Sequence, residues 1–272
     1  MEKTVLITGT SSGLGRAAAK LFQSKGWNVV ATMRKPSAES ELNELDRVLV
    51  TRLDVEDAPS IAPAIQAGIE RFGGIDVLVN NAGFGAFGPL EATPIETIRR
   101  EFEVNVFGPL QVMQAILPHF RARKAGTIVN ITSNSGLMTL PFGSLYHGSK
   151  YAMEGITDAL RFELASLGIH LRLVEPGAIK SRFVSSLAVS NEPVIADYQP
   201  LLDSAMKIYG GLTDIASPPE LIAEQILAAA TDEGQKLRFP AGEDAFRTIA
   251  ERDALTDEQY FETVAKRFGL PV

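Results

Sequence analysis

The feature that most constrains this 272-residue chain is a glycine-punctuated turn, Thr8-Gly9-Thr10-Ser11-Ser12-Gly13-Leu14-Gly15. It follows an apolar, β-branched run at 3–8 that reads as a buried strand, and it opens a helical pattern from 16 to 25. Strand, glycine turn and helix in that order make a phosphate-binding corner. Glycine lets the backbone bend sharply and come close to a ligand. The helix N-terminus then offers free N–H groups and the positive end of its dipole. The spacing departs from Gly-x-Gly-x-x-Gly, and taken alone the turn also reads as a structural glycine loop.

The pattern after it alternates. Apolar strand runs are expected at 27–32, 48–52, 76–80, 127–131, 169–174 and 237–239. Helices are expected at 57–72, from a Thr93 cap to about 121, from Tyr146 to 167, and from 218 to about 230. Such alternation predicts an α/β fold: one doubly wound domain over 1–272, with a parallel sheet of about seven strands and helices on both faces. Residues 178–217 show no sustained period and are expected to be an irregular substrate loop or lid. Two charged amphipathic helices, 243–252 and 256–268, form a C-terminal extension within 240–272. In such sheets ligands sit beyond the carboxyl ends of the strands. The glycine turn, Asp54, Asn81-Ala82-Gly83, Ser133 and Pro176-Gly177 all fall at such ends.

The chemistry-bearing pair is Tyr146 and Lys150, four residues apart and therefore on one face of a helix. An ammonium beside a phenol favours the phenolate, so Tyr146 is expected to be an acid/base with a lowered pKa. Without a cofactor site such a pair is also an ordinary snorkelling contact. Ser133, after a buried strand, can aim its hydroxyl at a substrate oxygen. Asn105 lies inside a helical stripe and reads equally as a satisfied core amide or a site residue. The end of the second strand reads Thr32-Met33-Arg34-Lys35. It lacks the acid that would bind a ribose 2′-hydroxyl, and Arg34, with Lys35, would welcome a 2′-phosphate. That favours NADP(H) over NAD(H).

Composition removes other classes. The chain has no cysteine, so thiolate catalysis, disulfides and Cys-zinc sites are excluded, and its three histidines lack metal-ligand spacing. A net charge of −7 with no basic block argues against nucleic acid or an anionic membrane as partner. No apolar run approaches membrane-spanning length and no secretory signal is visible, so a cytoplasmic protein is expected.

Thr8-Gly9-x-x-x-Gly13-x-Gly15, Asn81-Ala82-Gly83, Asn105, Ser133, Tyr146-x-x-x-Lys150 and Pro176-Gly177 together resemble the short-chain dehydrogenase/reductase family, from Val5 to about Phe239. The resemblance implies a Rossmann fold and an oxidoreductase exchanging hydride between NADP(H) and an alcohol or carbonyl. It implies Tyr146 as acid/base, Lys150 tuning it and holding the nicotinamide ribose, and Ser133 orienting the carbonyl. Asn105 would anchor a proton-relay water. Ser11, Ser12 and Leu14 would join the glycines at the cofactor. Asp54 and Val55 would lie at the adenine and Asn81 on the adenosine side. Pro176, Gly177, Ile179 and Ser181 would lie by the nicotinamide, Ser181 standing where the family often has Thr. Residues 136–142 before Tyr146 are similar to the steroid and retinol dehydrogenase branch, which implies a bulky apolar alcohol or ketone. Relatives are often dimers or tetramers, so a homo-oligomer is expected. The alternative is a non-catalytic NADP(H)-sensing protein on the same fold, disfavoured because all four catalytic members are present.

Overall fold

The computed structural model describes residues 2–181, 188–189 and 194–270. Its centre is β1 (Thr4–Ile7), buried along its length. β1 pairs in parallel with β2 (Asn28–Met33) on one side and β4 (Val77–Asn80) on the other, so that Val5 stands between Val29 and Val77. β3 (Val48–Arg52) adds beyond β2. Beyond β4 come β6 (Gly126–Ile131), β7 (Ile169–Pro176) and β9 (Arg238–Ala241), all parallel. The order is therefore β3-β2-β1-β4-β6-β7-β9, and it reverses between β1 and β4. A crevice opens at such a reversal because the connections on its two sides diverge.

Strand alternation sends successive side chains to opposite faces. Val5, Ile7 and Val29 pack on one side with Phe22 of α1 (Gly13–Ser24) and Ile226 of α7 (Pro219–Thr231). Leu6, Val30 and Leu78 pack on the other with Ile65 of α2 (Ile61–Phe72), Ile116 of α4 (Gly108–Arg123) and Met153 of α5 (Ser144–Leu164). The doubly wound fold and its seven-stranded sheet follow as expected. A two-stranded parallel ribbon, β5 (Ala86–Phe87) with β8 (Ala188–Val189), is additional.

Two local expectations are corrected. The long helix beginning near residue 93 is interrupted. Its first part is α3 (Ile95–Phe102), then Glu103–Phe107 forms a π-turn before α4. Pro94, not Thr93, holds the cap position, and the Thr93 hydroxyl donates back to the Pro89 carbonyl at 2.8 Å. Gly108, where α4 begins, lies so close to Val55 that an added Cβ would sit 2.7 Å from the valine Cβ. The second correction concerns 178–217. It contains α6 (Gln199–Ile215), which buries Leu202, Ala205 and Tyr209 on one face. Gly210 and Gly211 obscure that period in the sequence. Of this expected lid, residues 182–187 and 190–193 fall outside the described residues. The C-terminal helices are α8 (Glu243–Asp253) and α9 (Asp257–Phe268), the latter opened by a Thr256/Gln259 capping box. Among the described residues no helix is long and apolar enough to cross a membrane.

Candidate active site

At the strand reversal lies a cleft of about 1460 Å³. Gly9, Ser11, Ser12, Gly13, Leu14 and Gly15 form its floor under the N-terminus of α1. The glycines are demanded by geometry. Gly9 has φ +73° and an added Cβ would press on the Ala82 backbone at 3.0 Å. A Cβ on Gly15 would collide with the Gly9 carbonyl oxygen and stand 2.5 Å from the Asn81 amide nitrogen. The turn is also stapled from outside. Asn81 donates through its side chain to the Thr8 carbonyl (2.8 Å), and the Thr8 hydroxyl accepts from the Asn81 and Ala82 N–H groups (2.9 and 3.0 Å). The Asn81 side chain thus positions the turn, and the residue also lines the cleft with Ala82 and Gly83. No acid lies in the first turn of α1, so its N–H dipoles are left for an anion.

At the other side of the turn, Arg34, Asp54, Val55 and Glu56 line the cleft. Arg34 is exposed there and forms no ion pair among the described residues. Acids do follow β2, but Glu39 and Glu41 are claimed by Arg16, which also donates to the Ser11 carbonyl at 3.0 Å. Neither glutamate lines the cleft, and nor does Lys35. The basic character of this corner therefore rests on Arg34.

Ser133, Tyr146 and Lys150 come together deep in the cleft, Ser133 from the end of β6 and the other two from the first turns of α5. The Tyr146 hydroxyl is hydrogen-bonded to Ser133. Lys150 Nζ stands 5.7 Å from the centre of the Tyr146 ring and donates to the Ile131 carbonyl at 3.1 Å. The expected lowering of the tyrosine pKa is not what this arrangement produces. Burial pushes the phenol up to about 12, only partly opposed by the Ser133 hydrogen bond, and the charge of Glu101 adds to the rise. The same burial brings Lys150 down to about 8 against the pull of Glu101 and Glu154. Desolvation disfavours either charge, and the attraction across the pair is too weak to overturn it. Asn105 is brought near this group but does not line the cleft. It is 2% exposed, accepts from Phe84 N–H at 3.1 Å and donates to the Phe84 carbonyl and Glu101, both at 2.8 Å. Its side chain is thus a brace within the π-turn.

Pro176, Gly177, Ala178, Ile179 and Ser181 form the opposite lip. Here the sequence offered no hint of Asp244, 7% exposed at the start of α8, which accepts from the Ala178 N–H at 2.7 Å. Any Cβ on Gly177 would run into that carboxylate. The C-terminal extension therefore fixes the lip. Together with α6 it also completes the front wall. Tyr209 of α6 donates to the Pro141 carbonyl (2.7 Å) and Tyr260 of α9 to the Thr139 carbonyl (2.9 Å). Phe87 packs between Tyr146 and Tyr209, with ring centres 5.8 and 5.2 Å away. His147, buried and held neutral by desolvation, shapes the same segment by accepting from the Leu140 N–H at 3.1 Å. Met138, Leu140, Ile208 and Phe268 add apolar surface.

The short chain dehydrogenase family profile matches residues 3–191. The chain belongs to that family. It is an oxidoreductase of CH–OH groups, on the steroid dehydrogenase-like branch. It is 42% identical over 241 residues to an uncharacterized oxidoreductase of Schizosaccharomyces pombe, covering 88% of this chain and all of the relative. It is 36% identical to mouse 17-beta-hydroxysteroid dehydrogenase type 1, covering 88% of this chain and 74% of the mouse protein. A short-chain dehydrogenase from Streptomyces avermitilis superposes with a TM-score of 0.83 at 33% identity, covering 98% of both chains. Two Burkholderia relatives divide over the cofactor. One from B. phymatum was solved with NAD (TM-score 0.80, 25% identity, 93% of each chain). One from B. cenocepacia was solved with NADP (0.76, 26%, 99% of this chain and 98% of that one).

Proposed function

We propose that this protein interconverts an apolar alcohol with its ketone or aldehyde, using NADP(H) and Tyr146 as the acid/base. The observation that carries the reading is the Tyr146–Ser133 hydrogen bond, set where the glycine-built cradle meets an apolar wall. A nicotinamide dinucleotide held in that cradle supplies the hydride. Gly9, Ser11, Ser12, Gly13, Leu14 and Gly15 hold its phosphates, and Asp54 and Val55 its adenine end. Lys150 holds the ribose beside the nicotinamide, and the lip from Pro176 to Ser181 takes the amide. In reduction, the Ser133 and Tyr146 hydroxyls donate hydrogen bonds to the substrate oxygen, and Tyr146 passes its proton to that oxygen as carbon receives hydride. A phenol kept protonated by burial suits this direction, since it holds the proton until the oxygen develops charge. The reading is tested by incubating the protein with NADPH and a panel of apolar ketones and following loss of reduced cofactor; no turnover with any of them, in either direction, overturns it.

Arg34 is assigned to the 2′-phosphate because it reaches the cleft without a carboxylate of its own. Arg34→Ala is expected to weaken NADPH binding by about 10- to 100-fold, the worth of a charge-assisted hydrogen bond, and to leave NADH nearly unchanged. Titrations of both cofactors by fluorescence check this. Equal affinity of the unaltered protein for NADH and NADPH would overturn the assignment.

A further inference from the structure

Glu101 is fully buried in the last turn of α3, yet among the described residues it has no cation within ion-pair distance. Ionisable side chains are rarely buried without such a partner. Its position is nonetheless built. Asn105 donates to its Oε1 at 2.8 Å, and the Ser149 hydroxyl stands 3.5 Å from the same oxygen and 3.0 Å from the Asn105 amide nitrogen. The second oxygen, Oε2, is buried without a hydrogen bond. Ser149 directly precedes Lys150, so the carboxyl is fastened to the same helical turn as the catalytic lysine.

The lysine presents the complementary problem. Lys150 is 7% exposed, spends one N–H on the Ile131 carbonyl, and has no carboxylate within ion-pair distance among the described residues. Two acids act on it from farther off, Glu101 and Glu154. Glu154 is already committed, to Arg238 at 3.1 Å and to the Thr132 hydroxyl at 2.6 Å. Glu101 alone has its charge uncompensated.

We propose that Glu101 is a positioning residue of the catalytic group: the internal counter-charge of Lys150, held on station by Asn105 and Ser149, whose ionisation governs how readily the Tyr146–Lys150 couple gives up a proton. The proposal rests on the reading of Tyr146 as acid/base. It also gives the π-turn a purpose, because that turn carries the Asn105 amide that grips the carboxyl. The titratable groups coupled to Glu101 are Lys150 and Tyr146, both on α5; β5 contributes only the Ala86 amide. Burial raises Glu101 to about 7, opposed first by Lys150, so the residue changes charge near neutrality.

The sign of the effect is fixed. A carboxylate here makes the couple hold its protons more tightly, so removing the negative charge lets the protons leave at lower pH. In Glu101→Gln, the limb of kcat/KM for alcohol oxidation that rises with pH is expected to move down by about one unit. Below the pH at which Glu101 is itself protonated, the two profiles converge. Glu101→Asp keeps the charge and is expected to keep the original limb, which a merely structural role would not require. A Glu101→Gln enzyme with normal turnover and an unshifted limb overturns the proposal while leaving the oxidoreductase reading intact. Equal shifts in both variants overturn it as well. A second measurement needs neither turnover nor a folded Glu101→Gln protein. The infrared band of the protonated carboxyl, assigned by its displacement in Glu101→Asp, is expected to persist to higher pH in Lys150→Met than in the unaltered protein. Identical titration in the two overturns the coupling.

Discussion

Tyr146→Phe is expected to lower turnover about a thousandfold, the usual worth of a positioned general acid. That corresponds to about 4 kcal/mol of transition-state stabilisation. The loss should fall on kcat, with NADPH affinity and melting temperature scarcely changed. The ring's packing survives the substitution, since the stack on Phe87 at 5.8 Å uses the aromatic face and not the hydroxyl. Only the hydrogen bond to Ser133 and the transferable proton are removed. Single-turnover measurements with a ketone substrate, alongside cofactor titration, separate the two quantities. A phenylalanine variant that retains near-normal turnover would place the acid elsewhere.

Gly15→Ala is expected to damage binding and stability together. The new methyl meets the Gly9 carbonyl and the Asn81 side chain, both already fixed by hydrogen bonds to Thr8 or by the turn itself, so nothing flexible can yield. Overpacking of this kind costs about 2 kcal/mol, which in a chain of this size lowers Tm by roughly 5 °C. NADPH affinity should fall by more than tenfold, because the turn must open where the phosphates sit and each 1.4 kcal/mol is a factor of ten. Differential scanning calorimetry with and without NADPH measures both. Unchanged values would mean that the close approach of turn and helix is not maintained in solution.

The parts of the site written in short, local patterns were legible before any coordinates. The glycine turn announces itself by residue type and by the strand and helix around it. Tyr146 and Lys150 announce themselves by their four-residue spacing, and Arg34 by the acid missing from its neighbourhood. What the sequence concealed depends on tertiary encounters. Glu101 reads as one more surface charge in Arg99-Arg100-Glu101, and only the packing of α3 on α5 shows it buried. Asp244 lies 66 residues from the Ala178 amide it holds, and Tyr260 lies 121 residues from Thr139. The π-turn at Glu103–Phe107 is a matter of backbone hydrogen-bond register, which the residue types of this stretch do not declare. The phenol's pKa went the wrong way because spacing reveals the nearby ammonium but not the desolvation that outweighs it.

The described parts of the cradle are supplied almost wholly before residue 182, whereas α6 and α9, which stand over Tyr146, come from the last third of the chain. On the proposed function, nucleotide capture and substrate taste are thereby inherited through different lengths of polypeptide. A lineage can retailor what enters without rewriting the machinery that delivers hydride, so long as Asp244 keeps its grip on the lip that both halves share.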